Sequence, residues 1–139
     1  MTKTKSGSCL CGAVTFTATP HTMGMRACHC NTCRRWSAGP FMTLGCDDVA
    51  FDDESQLGVF KTSEWGERGF CKTCGTSLFW RMQDKSGYGV SISAFEETDD
   101  IPFGLEFFID EKPANYEFAG SAKKLTGKEV FAMFTQDDN

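Results

Sequence analysis

Hydrophobic and polar positions alternate along this chain in short runs. Ala13-Val14-Thr15-Phe16-Thr17-Ala18-Thr19 has a period of two and predicts a strand with Val14 and Phe16 inward. Pro20, which lacks a backbone donor, is expected to end it, leaving His21 in a solvated turn. Phe41-Met42-Thr43-Leu44 and Leu57-Gly58-Val59-Phe60-Lys61 read as further strands, as do residues 77–82 and 88–94, and residues 103–109 form an extended apolar run. Asn31 is placed to cap a short helical turn over 32–37. Thr126 and Glu129 fit a capping box that opens a short C-terminal helix, with Val130, Phe131 and Phe134 buried. Asp47-Asp48, Asp52-Asp53-Glu54 and residues 96–100 read as acidic, solvated turns. Many short strands with few helices predict a mainly β fold, and residues 1–139 show no repeat, linker or low-complexity stretch that would divide a single domain.

Composition narrows the partners. No window approaches eighteen consecutive apolar residues, so no membrane span is expected. Met1-Thr2-Lys3-Thr4-Lys5 is not followed by an apolar segment of the kind a secretory signal needs, which points to the cytoplasm. A formal charge of −5 with no basic stripe argues against a nucleic-acid partner.

Eight cysteines change the picture more. A reducing compartment disfavours disulfides, so clustered cysteines there point to metal binding. Seven of the eight fall in three groups: Cys9 and Cys11; Cys28, Cys30 and Cys33; Cys71 and Cys74. Two plus two closes a tetrahedral four-thiolate zinc site from Cys9, Cys11, Cys71 and Cys74, in which Gly12 and Gly75 let the backbone wrap the ion. Cys28, Cys30 and Cys33 are three thiolates, one short of a closed tetrahedron, and an open position distinguishes a catalytic zinc from a structural one. Water, a substrate thiol, Cys46, His29 or a side chain from elsewhere are the candidates to complete it. His29 lies between two ligand cysteines and points away in an extended segment, whereas Cys46 stands apart and reads as a small core hydrophobe. Two Zn²⁺ per chain are expected. Arg34 and Arg35 follow the cluster, where they would receive a substrate carboxylate or offset the anionic zinc–thiolate charge.

Gly7-x-Cys9-x-Cys11-Gly12, then Cys28-His29-Cys30-x-x-Cys33-Arg34, then Arg68-Gly69-Phe70-Cys71-x-x-Cys74-Gly75 occur in this order. Together they resemble the glutathione-dependent formaldehyde-activating enzyme family, also called the Gfa or CENP-V-type domain. The likeness extends through Phe108-Ile109-Asp110-Glu111-Lys112-Pro113 and Tyr116-Glu117-Phe118-Ala119-Gly120. It implies an Mss4-like fold of several coiled antiparallel sheets. It also implies a structural zinc on Cys9, Cys11, Cys71 and Cys74, and a catalytic zinc on Cys28, Cys30 and Cys33. The implied activity is that of a carbon–sulfur lyase joining glutathione, or a similar thiol, to formaldehyde or another small aldehyde. The chain departs from the family's usual pattern at Glu106, where a histidine is common, and at Asn115, where an aromatic residue is common. The competing expectation is a zinc-stabilised binding module, or a thiol and aldehyde carrier, of the same fold.

Overall fold

The computed structural model describes residues 3–137. The strand predicted over residues 13–19 is the first third of a longer one. β1 (Lys5–Ser8) pairs antiparallel with β2 (Thr15–Cys28), and β2 pairs antiparallel with β3 (Phe41–Phe51). Pro20 does not end β2. The β2–β3 register shifts between Thr19 and Pro20 and again between Pro20 and Met25, so the missing donor falls in an irregularity and the strand continues. His21 consequently stands in the strand, exposed, with Nδ1 3.4 Å from Asp47 Oδ1. Asp47 and Asp48 lie within β3, not in a turn, and both face solvent.

β4 (Leu57–Lys61), β5 (Gly66–Cys71), β6 (Ser77–Met82) and β7 (Tyr88–Ser91) form a meander, followed by β8 (Phe103–Phe107) and β9 (Lys123–Lys124). The order is β4-β5-β6-β7-β3-β2-β8-β9, with β1 also on β2. The fold is mainly β, as expected. The sheets implied by the family resemblance are joined edge to edge in one hydrogen-bonded path, antiparallel except for the β2–β8 and β8–β9 pairings. Residues 88–94 are a strand only to Ser91, after which Ile92–Ala94 make a 3₁₀ turn. The apolar run ends its strand at Phe107. Phe108 then takes a left-handed φ of 58° and a 3₁₀ turn follows at Ile109–Glu111.

Phe16, Leu44, Leu78, Phe79 and Val90 anchor the main core between the sheet faces. A smaller core joins Phe107, Leu125 and Val130, with Cys28 packed against it. The described residues hold two α-helices, α1 (Asn31–Ser37) and α2 (Gly127–Asp137). The capping box forms in both directions, Thr126 N–H to Glu129 Oε1 at 2.8 Å and Glu129 N–H to Thr126 Oγ1 at 3.3 Å. Val130 is buried, but Phe131 and Phe134 are 51% and 37% exposed. A short helix can turn only one stripe to a small core, and Val130 occupies it. The two phenylalanines instead meet aromatic residues in and beside the sheet, Phe131 with Phe108 and Trp65, Phe134 with Phe107 and Trp80. No helix among the described residues is long and apolar enough to cross a membrane.

Candidate metal centres

The turn between β1 and β2 and the turn between β5 and β6 bring Cys9, Cys11, Cys71 and Cys74 together, all four sulfurs lying within 4.8 Å of one another. Cys11 Sγ is 3.7 Å from Cys9 Sγ and 3.8 Å from Cys71 Sγ. Each turn folds its backbone N–H groups back onto sulfur: Val14 donates to Cys9 Sγ at 3.3 Å and Cys74 to Cys71 Sγ at 3.4 Å. Gly12 and Gly75 close the two turns at φ 84° and 80°, conformations that strain a side-chain-bearing residue. Leu10 N–H donates to Thr76 Oγ1 at 3.0 Å and stitches one knuckle to the other. The Thr76 hydroxyl and backbone pull the Cys74 thiol down to about 5, so a thiolate is already favoured there. Four convergent sulfurs with amide donors behind them are a donor set that suits zinc.

Cys28 ends β2, and Cys30 and Cys33 flank the start of α1. Their sulfurs form the second group, again within 4.8 Å, and no fourth His, Cys, Asp or Glu among the described residues joins it. The helix cap is Cys30, not Asn31. Cys30 has extended backbone (φ −62°, ψ 153°) and its sulfur accepts from Cys33 N–H at 3.3 Å. Asn31 is the first helical residue, and its N–H donates to Glu111 Oε1 at 2.9 Å. Hydrogen bonds from Cys28 and Cys33 lower Cys30 to about 2, and sharing protons with Cys30 and Cys33, together with burial, raises Cys28.

His29 does not complete the group. Alternation sends its fully buried ring to the other side of the segment, where Nε2 lies 2.8 Å from Glu106 Oε1 and Nδ1 lies 2.7 Å from Tyr116 Oη. Cys46 does not complete it either. Its sulfur sits in the main core, 3.5 Å from the Leu44 carbonyl, and burial raises the thiol to about 12. Arg34 spends its guanidinium on two carbonyls, His29 O at 2.8 Å and Glu111 O at 3.2 Å, while Arg35 is exposed. Arg68 reaches further than the neighbouring Cys71 knuckle. Its Nη2 donates to Cys33 Sγ at 3.4 Å and its guanidinium stacks on Trp36 at 5.1 Å. Its Nε and Nη1 are buried with no hydrogen-bond partner among the described residues. The cation therefore stands beside the thiol group with donors to spare.

The three thiols open on a cavity of about 280 Å³ whose walls include Phe41, Trp65, Trp80, Phe107, Phe108, Phe131 and Phe134 together with Arg68 and the hydroxyls of Thr32, Thr62 and Ser63; Arg34 and Arg35 do not line it. Arg26 does. It is 8% exposed, donates through Nε to Thr43 Oγ1 at 3.2 Å and lies 5.2 Å over the Phe107 ring. No carboxylate pairs with it among the described residues, and burial pulls the guanidinium below its ordinary pKa. Neither Arg26 nor the aromatic wall was legible in the sequence as part of a site. Arg26 is two positions before Cys28 and shares its strand face, a signal hidden as long as the strand was taken to stop at Pro20.

The glutathione-dependent formaldehyde-activating enzyme family profile matches residues 4–111. An uncharacterized lyase of Schizosaccharomyces pombe is 35% identical over 126 residues, covering 89% of this chain and 92% of its own length. A Halomonas elongata protein with the provisional name of glutathione-dependent formaldehyde-activating enzyme is 28% identical over 83 residues, 52% of this chain and 53% of its own. A crystal structure of a Rhodobacter sphaeroides protein superposes with a TM-score of 0.58 at 22% identity, covering 70% of this chain and 98% of that one, which supports the fold alone.

Proposed function

The chain belongs to the glutathione-dependent formaldehyde-activating enzyme family, and from that premise we propose that it is a zinc-dependent carbon–sulfur lyase acting on a thiol and an aldehyde. Glutathione and formaldehyde are the pair the family name supplies. In the joining direction the thiol S–H adds across the C=O bond. A C–S bond forms, the carbonyl π bond opens, and the thiol proton ends on the new hydroxyl oxygen, so no oxidant or leaving group is needed. Two Zn²⁺ per chain fit the two sulfur groups. Cys9, Cys11, Cys71 and Cys74 would hold the structural ion, and Cys28, Cys30 and Cys33 the one at which chemistry occurs. Zinc at the three-thiol group supplies a cation that favours the thiolate form of an added sulfur ligand.

The chain's own residues do the remainder. Arg68 offsets negative charge at Cys33 and so keeps the sulfur group from repelling an incoming thiolate. The Glu106–His29–Tyr116 chain locks the segment so that Cys28 and Cys30 face one way. The aromatic walls exclude water and hold the two reactants together, which raises their effective concentration. None of the eight cysteines is joined in a disulfide, in keeping with zinc ligation by seven of them in a reducing compartment.

The observation that carries this reading is the convergence of three sulfurs on a cavity with no fourth ligand among the described residues. The test is exchange NMR on ¹³C-formaldehyde with glutathione, with and without zinc-loaded protein. Adduct formation faster than the uncatalysed rate is expected. Cys30→Ala should return it to the uncatalysed rate with the far-ultraviolet circular dichroism unchanged. A wild-type protein that leaves the uncatalysed rate unaltered, zinc in place, would overturn the activity.

A further inference from the structure

Arg68 is a buried cation with two donors that nothing among the described residues satisfies. It is 5% exposed, and neither Nε nor Nη1 has a hydrogen-bond partner there. The alternation of β5 explains the shortage. Successive strand residues face opposite sides, so Glu67, the carboxylate next in sequence, turns away from Arg68 and accepts from Arg81 Nε at 2.7 Å. Nη2 is taken by Cys33 Sγ, and Trp36 covers one face of the guanidinium. Buried polar groups are normally paired, because losing water without a replacement is costly, most of all for a charged group. A guanidinium left in this state marks a partner from outside the chain, and that partner has to accept hydrogen bonds.

The place of these donors decides which part of a ligand they meet. Arg68 lines the cavity onto which Cys28, Cys30 and Cys33 open. Its guanidinium is one rigid plane, so the anchoring of Nη2 on Cys33 Sγ fixes Nε and Nη1 beside the same sulfur group. When a thiol adds to an aldehyde, the oxygen ends one carbon away from the reacting sulfur. The carboxylates of glutathione lie many bonds further off. An acceptor beside the sulfur group is therefore the aldehyde oxygen and not a remote carboxylate. The need is also electrostatic. Three thiolates outnumber the charge of a divalent ion, so the negative oxygen that addition creates calls for a cation of its own, held ready in a site of low dielectric.

Resting on the lyase reading above, we propose that Arg68 is a catalytic residue of that reaction: Nε and Nη1 donate to the aldehyde oxygen and hold the negative charge it gains. As the C–S bond forms, the carbonyl π pair moves onto oxygen. Arg68 keeps its protons throughout. The thiol proton, released to solvent water when the thiolate forms, returns from water to that oxygen. Nη2 stays on Cys33, so one guanidinium spans the sulfur group and the reacting oxygen.

The test separates this donation from simple charge compensation. Thioacetate carries sulfur and a partly negative oxygen on one carbon, and propane-2-thiol has the same outline with a methyl group in place of the oxygen. Both are added to zinc-loaded protein whose arginine Nε is labelled with ¹⁵N, the Arg68 signal being assigned by its contact with the Trp36 ring. The Arg68 Nε–H resonance of the wild-type protein should move downfield with thioacetate and not with propane-2-thiol. Equal movement with both, or none with either, overturns the proposal, and this comparison needs no variant. Arg68→Lys keeps a positive charge and loses the planar fork. By calorimetry it should weaken thioacetate at least tenfold more than propane-2-thiol, whereas equal weakening of the two leaves charge compensation alone and overturns the proposal. With zinc content unchanged, kcat for glutathione and formaldehyde should fall at least tenfold in the same variant, and an undiminished kcat overturns the proposal too. A wild-type protein that shows the thioacetate shift but does not accelerate glutathione addition would instead remove the lyase reading, and with it any reaction for Arg68 to serve.

Discussion

His29 shows how one side chain is decided by what waits for it. Its ring is fully buried, with Glu106 on one nitrogen and Tyr116 on the other, and Lys124 Nζ lies 3.7 Å from the second Glu106 oxygen. A buried imidazole stripped of its partner is left with an unsatisfied polar atom, which costs about 1–3 kcal/mol. Glu106→Ala should therefore lower stability by about that amount in urea unfolding. Glu106→Gln, which can still accept through its amide oxygen, should lose less. Equal losses would mean that the pairing contributes packing volume and not a hydrogen bond. The substitution also lies one residue from the site, because His29 sits between Cys28 and Cys30 in the segment its hydrogen bonds hold.

At the scale of elements, the knuckles and α2 are each set by short-range rules. Gly75 has no atom near a built Cβ, so Gly75→Ala meets no clash and its cost is the left-handed backbone alone. A loss of roughly 1–2 kcal/mol is expected on urea titration, and Gly75→Asn, better tolerated at positive φ, should recover part of it. Thr126→Ala removes half of the capping box and should cost α2 about 1 kcal/mol. Hydrogen exchange at the Val130 amide, bonded to the Thr126 carbonyl at 2.9 Å, reads that loss directly. Unchanged exchange there would show that α2 is held by its packing on Phe107 and Leu125 and not by its cap.

Across the whole molecule the two sulfur groups should behave differently. The four-thiol group ties segments 60 positions apart, Cys11 to Cys71, and a cross-link closing a loop of that length restricts the unfolded chain by about 4 kcal/mol. The three-thiol group joins residues within one strand end and one helix start and closes almost no loop. Stepwise chelation should therefore remove one zinc with little change in the thermal transition and the second with loss of the folded state, followed by metal analysis alongside circular dichroism. Cys74→Ala should unfold the chain where Cys30→Ala does not. Release of both ions in a single step with unfolding would contradict the division of labour.

Cysteine type and spacing were enough to mark Cys28, Cys30 and Cys33 as one group and Cys9/Cys11 and Cys71/Cys74 as two knuckles, because chelation by i, i+2 and i, i+3 thiols is a local property of the chain, whereas the meeting of the two knuckles across 60 positions belongs to the fold. The period-two run around Val14 and Phe16 and the Thr126–Glu129 box were legible for the same reason: each rule acts within a few residues. Pro20 misled because its effect depends on whether a partner strand needs its donor, and the β2–β3 register shift removes that need. Which distant residues meet was decided by tertiary structure alone. The sheet register sets Glu106 against His29 across 77 positions and carries Arg26 onto the face of Cys28. The packing of α2 leaves Phe131 and Phe134 over the thiols, not in the core. Side-chain identity limits what each residue can bind, but only the folded register determines the neighbours with which it does so.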